Sequence, residues 1–361
     1  MQLKIDFVED KSGARMVATG DTVEPLGFDE FVRLSNRPNE QFTFDLSIID
    51  AIVSHGDCAP QEASIRANVT TNLSSRVFAL VKGGWLPSAL ALQVGSLIIP
   101  DRNVVGEIRA RFMGKKKTSE FGGDFFDLMA GSRLTINPIL YAMEGSAGDR
   151  NPDENQLLTL YEKASAKIKE ALPDATVIPI DAVMGAINLL KEQEQALSIN
   201  MRFLVKIAPL LTAPLPLRSL YSTWLGICQT AEECKVDTTS LLMIVLASAI
   251  FARQGLNPAR GVLKPRHSYG MRDAYNSLAD LRALEMLIAS FCFFPDRSVV
   301  FLTADRQLAH LWAGLQAHAF HNVGGVPSYT LKLHRSLLAR LTPSQSATLF
   351  NGRSDDSATT D

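Results

Sequence analysis

The sequence predicts an α/β fold in which a parallel sheet is flanked by helices. Two apolar runs rich in β-branched residues, 97–100 and 299–303, each end close to an aspartate and are followed by helix-compatible sequence. Unbroken hydrophobic strands of this kind are typical of a parallel sheet that is covered on both faces. We therefore expect the two runs to be parallel neighbours whose carboxyl ends share one edge of the sheet.

A small α+β segment is expected over residues 1–95, ahead of the main domain. Residues 2–8 and 42–53 have the character of strands, and residues 74–82 resemble a helix. The first seven residues alternate apolar and polar side chains, which is unlike a secretory signal peptide.

The α/β domain is expected to span residues 96–345 and to contain a large helical insertion at about 153–255. Apolar residues recur at helical spacings in 155–172, at the start of this insertion. The longest apolar run, 241–251, is shorter than the roughly 18 residues that a membrane span needs, so it predicts a buried helix. The polar residues 346–361 are expected to form a flexible tail.

Composition narrows the class of protein. Apolar residues make up 46% of the 361-residue chain and its formal net charge is −2, which is typical of a globular protein. Any affinity for nucleic acid must then come from local basic patches. The four cysteines form no C-x-x-C pair, which argues against zinc and favours reduced thiols in the cytoplasm.

Carboxylates stand where a divalent metal could bind in three distant stretches of the chain. Asp101 and Asp305 follow the two strand-like runs, and Asp280 is expected to open a helix at 280–289. Carboxylates that converge on one sheet edge repel each other unless a cation lies among them, and hard oxygen ligands suit Mg²⁺ or Mn²⁺. Each aspartate has the alternative role of a helix N-cap, and Asp273 is an alternative to Asp280.

The segments "IIPDRNVVGEI", "LADLRALEML" and "VVFLTADRQLAHLW" resemble the acidic motifs of the PIN-domain nucleases. That family is a small parallel α/β sandwich with an Asp after its first strand, an acid on a central helix, a further Asp that opens a later helix and a last Asp in a strand-ending T-x-D. The resemblance assigns these places to Asp101, Glu144, Asp280 and Asp305, and another acid could replace Glu144.

The resemblance implies metal-dependent hydrolysis of phosphodiester bonds, with those four acids as catalytic residues and as ligands of Mg²⁺ or Mn²⁺. RNA is favoured over DNA as the substrate, and the family implies an endoribonuclease of toxin or defence-effector type. Such an enzyme would need an inhibitory partner protein or self-association to restrain it. No association with a membrane is expected. The alternative is a non-enzymatic interaction protein with a degenerate nuclease-like scaffold, in which the acids only cap helices.

Basic residues flank the proposed acids and are candidates for holding nucleic-acid phosphates. Their alternative is that they lie in solvated loops. No G-x-S-x-G, phosphate-binding loop or dinucleotide-binding motif offers a competing chemistry. The nucleic-acid-binding candidates are Arg102, Lys115, Lys116, Lys117, Lys264, Arg266 and Arg306.

Overall fold

The computed structural model describes residues 3–8, 15–20, 22–35, 42–55, 59–93, 95–113, 123–145, 148–253 and 255–342, with positions 344, 345 and 349. Lys115, Lys116 and Lys117 lie outside the described residues, as does nearly all of the expected tail at 346–361.

The elements of the described ranges follow in chain order. The strands are β1 (Leu3–Val8), β2 (Arg15–Gly20), β3 (Phe42–His55), β4 (Gln61–Thr71), β5 (Phe78–Val81), β6 (Gly84–Pro87), β7 (Leu97–Pro100), β8 (Thr135–Ile136), β9 (Thr176–Val177), β10 (Val299–Thr303), β11 (Ala317–Val323) and β12 (Val326–Leu331). The helices are α1 (Phe28–Ser35), α2 (Arg102–Phe112), α3 (Ile139–Glu144), α4 (Glu154–Ala171), α5 (Met184–Glu192), α6 (Glu194–Ile207), α7 (Leu220–Cys234), α8 (Leu241–Phe251), α9 (Pro258–Leu263), α10 (Met271–Phe293) and α11 (Arg306–Leu315).

A six-stranded sheet forms the centre of the molecule, in the order β6-β5-β10-β7-β8-β9. Strands β10 and β7 pair in parallel, with Val299 opposite Leu97 and Leu302 opposite Pro100. The expectation that these two runs are parallel neighbours is confirmed. Strands β8 and β9 extend the parallel part of the sheet, whereas β5 and β6 form an antiparallel hairpin at its other edge.

The hairpin β5–β6 corrects one local expectation. Residues 74–82 were expected to be helical, but Phe78–Val81 is a strand that pairs with β10. The reason is the turn at Lys82-Gly83, where Gly83 has a φ of 89°. A two-residue turn with glycine in this region, between two short apolar runs, favours a hairpin over a helix. This hairpin lies within the predicted segment 1–95, yet it hydrogen bonds with the central sheet.

Strands β1 to β4 form a separate antiparallel sheet in chain order. The backbone of Leu26 exchanges two hydrogen bonds with Trp85 of β6, which joins the residues after this sheet's second strand to the central one. The rings of Phe28 and Phe31 on α1 then pack against His310 of α11 at 4.3 and 5.0 Å between centroids. These contacts anchor the N-terminal residues on the main domain.

The insertion is built from α4 to α8, as the sequence predicts for 153–255, with the short strand β9 as an unexpected addition. Helix α8 is buried almost throughout, which agrees with its unbroken apolar sequence. No helix of the described residues is long and apolar enough to cross a membrane.

Candidate active site

The carboxyl ends of β7 and β10 lie side by side, and each is followed by one of the predicted aspartates. Asp101 comes directly after β7 and is the N-cap of α2; Asp305 comes two residues after β10 and is the N-cap of α11. The backbone N–H of Asp101 donates to the carbonyl of Leu302 at 2.9 Å, which continues the parallel pairing into the site. Because adjacent parallel strands end at one edge, the two acids become neighbours.

Asp101 is fixed by three hydrogen bonds. Its Oδ1 accepts from the backbone N–H of Val104 at 2.7 Å, whereas Oδ2 accepts from the hydroxyl of Thr303 at 2.7 Å and from the backbone N–H of Ala304 at 3.3 Å. Burial raises the pKa of Asp101, these hydrogen bonds oppose that rise, and the negative charge of Asp305 adds to it. The N-cap role predicted as an alternative is therefore real, and it leaves the carboxylate in the site.

The two oxygens of Asp305 have different surroundings. Oδ1 accepts from the backbone N–H groups of Gln307 and Leu308, at 2.8 and 3.0 Å. Oδ2 lies 3.5 Å from the ammonium of Lys264. Capping thus consumes one oxygen and leaves the second available to a cation.

Asp280 lies within α10 and does not open it, so the expected helix start is wrong. The helix begins at Met271, where Gly270 is the N-cap and Asp273 closes a capping box by accepting from the N–H of Gly270 at 2.9 Å. Asp273 also pairs with Arg266 at 2.5 Å. The capping signal read at Asp280 belongs to Asp273, because a continuous helix of 23 residues carries Asp280 in its middle.

Burial raises the pKa of Asp280 to about 7, and the charges of Asp305, Glu144 and Asp101 contribute to that rise against the opposing effect of Lys264. Glu144 ends α3, and burial raises its pKa as well. The hydroxyl of Tyr275 donates to the carbonyl of Glu144 at 3.0 Å and so holds the end of α3 against α10.

One cleft of about 420 Å³ is lined by all four predicted acids, Asp101, Glu144, Asp280 and Asp305. They lie at the ends of β7, α3 and β10 and in the middle of α10, on segments separated by up to two hundred residues. The charges of the other three acids contribute to the raised pKa of Asp280. The four acids that were predicted from the sequence therefore line one cavity of the folded protein.

Cationic side chains line the same cleft. The Nζ of Lys264 lies 3.7 Å from Oδ2 of Asp280 and 3.5 Å from Oδ2 of Asp305. Arg102 donates to the carbonyl of Gly145 and lies over the ring of Tyr141 at 5.5 Å. Lys264 and Arg102 were both predicted to contact nucleic acid; Arg266 and Arg306 do not line this cleft.

Arg272, Asn276 and Arg282 also line the cleft, although none of them was among the predicted site residues. Arg272 and Asn276 lie eight and four residues before Asp280 on α10, so the helical period alone places them on its face. Arg282 is buried, and its guanidinium lies 5.4 Å from the centre of the Tyr275 ring. If the start of α10 had been predicted correctly, Arg272 and Asn276 would have been expected on the same helix face as Asp280.

The donor chemistry of the cleft fits a hard divalent cation, because its acids are carboxylates, and the charge of a neighbouring acid contributes to the raised pKa of Asp101, of Glu144 and of Asp280. Among the described residues, no group of three or more His, Cys, Asp or Glu side chains is already arranged to hold a metal ion. In this arrangement the ammonium of Lys264 supplies the positive charge between Asp280 and Asp305.

Comparisons of the chain with protein-family models, with curated proteins and with solved structures find no significant match.

Proposed function

We propose that this protein is a metal-dependent nuclease that hydrolyses phosphodiester bonds, with RNA as the favoured substrate. The observation that supports it is the convergence of Asp101, Glu144, Asp280 and Asp305 on one cleft at the carboxyl edge of a parallel sheet. Interaction proteins gain nothing from four mutually repelling carboxylates in one cavity, since the repulsion destabilises the fold.

Asp101, Glu144, Asp280 and Asp305 would hold the ion. When bound, Mg²⁺ or Mn²⁺ supplies a Lewis acid that neutralises charge on phosphate oxygens and lowers the pKa of bound water. The residues of the chain provide the preorganisation: Thr303 and Val104 fix the carboxylate of Asp101, and the first turn of α11 fixes that of Asp305.

The cations of the cleft suit a phosphate substrate. Acids alone would repel a polyanion, but Lys264, Arg102 and Arg272 lie on the same walls. Lysine and arginine bind phosphate oxygens through charge-assisted hydrogen bonds. In the proposed complex, Lys264 exchanges its contacts with Asp280 and Asp305 for contacts with a phosphate.

The order of the acids supports a PIN-like assignment: one after β7, one at the end of α3, one on α10 and one after β10, although Asp280 lies within α10 and does not open it. With it we propose a cytoplasmic endoribonuclease of toxin or defence-effector type. The proposed preference for RNA rests on that resemblance alone.

The test is cleavage of end-labelled RNA and single-stranded DNA in Mn²⁺, in Mg²⁺ and in EDTA. The wild-type protein should cut RNA only when metal is present, and Asp305→Asn should abolish cutting while keeping the capping oxygen of Asp305. Asp273→Asn is the matched control, because Asp273 lies on α10 outside the cleft. Absence of cutting in either metal, or equal cutting by Asp305→Asn, would refute the proposal.

One surface favours a partner protein as well. Leu217 lies three residues before α7, and Tyr221 and Leu225 follow on α7 at intervals of four residues, with exposed fractions of 74, 59 and 51%. An exposed apolar stripe of this kind is typical of an interaction surface. It supports the proposed inhibitory partner or self-association, and it is also what the non-enzymatic alternative requires.

A further inference from the structure

A second cavity, of about 370 Å³, lies between the end of α8, α9 and the first turn of α11. Two guanidinium groups line it, those of Arg260 and Arg340, together with the side chain of Gln307. We call it the two-arginine cavity. None of its lining residues in the described chain is acidic, and neither arginine has a carboxylate partner there.

Both arginines are held in place by backbone carbonyls. Arg260 donates through Nη1 to Ala213 at 3.2 Å, and through Nη2 to Thr212 at 3.0 Å and to Leu211. Arg340 donates through Nη1 to Leu215 at 3.1 Å. These bonds fix the positions of the two charges but do not neutralise them.

Donor groups remain for a ligand. Among the described residues, nothing accepts from Nε and Nη2 of Arg340 or from Nε of Arg260, and the side-chain amide of Gln307 has no partner. Guanidinium groups present paired N–H donors in a planar fork that matches the oxygens of a phosphate. An anion with several acceptor oxygens would match these donors.

The guanidinium groups of Arg260 and Arg340 repel each other. Burial lowers the pKa of Arg260, and the neighbouring charge of Arg340 lowers it further. A bound anion would remove this repulsion, so binding and stability should be coupled.

The two-arginine cavity and the acidic cleft share two elements. On α9 and its C-cap, Arg260 lines the cavity and Lys264 lines the cleft, four residues apart. On α11, Gln307 lines the cavity and Asp305 lines the cleft, two residues apart. Four helical residues span about 6 Å, so the two sites are close neighbours along the surface.

We propose that the two-arginine cavity binds a phosphate group through Arg340, Arg260 and Gln307. The phosphate comes either from the backbone of a nucleic acid whose neighbouring phosphodiester lies in the acidic cleft, or from a free nucleotide or inorganic phosphate. Only the first source depends on the proposed nuclease function. Phosphate binding itself stands independently of cleavage.

The experiment measures binding in EDTA, where no cutting occurs. One arm follows thermal unfolding with added inorganic phosphate and with a 5′-mononucleotide; the other follows the anisotropy of a labelled single-stranded oligonucleotide. Arg340→Gln should lose the phosphate-dependent rise in the unfolding temperature. If the source is the nucleic-acid backbone, it should also bind the oligonucleotide about tenfold more weakly, the loss expected for a charged hydrogen bond.

Two further variants keep the test decisive. Arg335→Gln makes the same change in charge at an exposed site outside the cavity, and it should behave as the wild-type protein. Gln307→Glu leaves both arginines and their carbonyl bonds in place and adds a competing carboxylate near them. It should raise the unfolding temperature without ligand and abolish the response to phosphate.

Loss of the phosphate response in Arg340→Gln and Gln307→Glu with unchanged oligonucleotide affinity would support the cavity with a free phosphate as its source. An unchanged response to both ligands in folded Arg340→Gln and Gln307→Glu would overturn the proposal. Because all of these measurements are made in EDTA, a failure here differs from a failure of metal-dependent cutting.

Discussion

The hydroxyl of Thr303 donates a 2.7 Å hydrogen bond to Oδ2 of Asp101 and thereby ties together the ends of two parallel strands. The same oxygen of Thr303 accepts from the backbone N–H of Asp305 at 2.9 Å. One fully buried hydroxyl therefore positions two of the acids that line the cleft. Thr303 is not among the described residues that line the cleft, so its role is to position these acids.

Thr303→Val tests how much the hydrogen bonds of the Thr303 hydroxyl contribute to stability and to the positioning of Asp101 and Asp305. Valine has nearly the same shape but leaves the N–H of Asp305 without its acceptor and takes one donor from Asp101. We expect the free energy of unfolding to fall by about 1–3 kcal/mol, the cost of an unsatisfied buried polar group. Metal-dependent cutting, if present, should fall with a larger effect on kcat than on KM.

Urea unfolding followed by circular dichroism gives the stability. Thr230→Val is the matched control, because Thr230 bonds only within the exposed face of α7 and its loss should change stability by less than about 0.5 kcal/mol. Equal stabilities of Thr303→Val and the wild-type protein would contradict the positioning role.

Asp280→Asn should separate function from stability. Burial and the other acids of the cleft disfavour the ionised form of Asp280, so removing its charge should stabilise the metal-free protein by about 1 kcal/mol or more, while cutting is lost. A buried structural carboxylate without this repulsion would show the opposite change in stability.

Differential scanning calorimetry in EDTA, compared with the cleavage assay, gives both readouts. Asp273→Asn keeps an oxygen that can accept from the N–H of Gly270 and loses only the charge of its exposed pair with Arg266, so its stability should fall by less than about 1 kcal/mol and it should keep its activity. If both variants changed stability in the same direction, the electrostatic account of the cleft would be wrong.

The sequence predicted the parallel pair β7–β10 and the acids at its edge because strand hydrophobicity and chain order determine both. The predicted start of the helix that carries Asp280 was wrong, because two possible capping residues compete in the sequence. In the sequence, Asp280 and Asp273 are equally good candidates for a helix cap. The packing of Tyr275 against the end of α3 shows that the helix starts before Asp280. Helix boundaries depend on such contacts more than on local propensity.

The role of Thr303 and the two-arginine cavity were beyond the sequence for a different reason. Thr303 and Asp101 are about two hundred residues apart, and Arg260 meets Arg340 only after α8, α9 and α11 have packed. No periodic pattern records contacts of this range. The expected helix over 74–82 was wrong because the glycine turn at 82–83 and the pairing of residues 78–81 with β10 together override a helix-compatible sequence.

Reversing the charge of Lys115, Lys116 and Lys117 should weaken the binding of single-stranded nucleic acid without affecting the chemistry. The chain carries a net charge of −2, so its affinity for a polyanion must come from a few local cations. Each lost phosphate contact should flatten the dependence of log affinity on log salt by about 0.7. Fluorescence anisotropy at several salt concentrations measures this slope, and a slope equal to that of the wild-type protein would show that these lysines make no phosphate contact.

His310 should make the protein sensitive to acid. It lies on α11 between the rings of Phe28 and Phe31, and its Nε2 has no hydrogen-bond partner among the described residues. Burial, with the charges of Arg306 and His334, lowers the pKa of His310 to about 4. The unfolded chain therefore binds a proton at a pH where the folded protein does not.

Because the pKa of His310 is lowered in the folded protein, the free energy of unfolding should fall as the pH falls. The stability that neutral His310 contributes is complete above its ordinary pKa of about 6.5 and is lost as the pH falls towards about 4, with a slope of up to about 1.4 kcal/mol per pH unit. His310→Phe keeps an aromatic ring between Phe28 and Phe31 and removes the titrating group. Its free energy of unfolding, measured in urea from about pH 7 to about pH 4, should fall less steeply than that of the wild-type protein by up to this slope. Parallel curves for the two proteins would show that His310 binds its proton as readily in the folded protein as in the unfolded chain, which would contradict the lowered pKa.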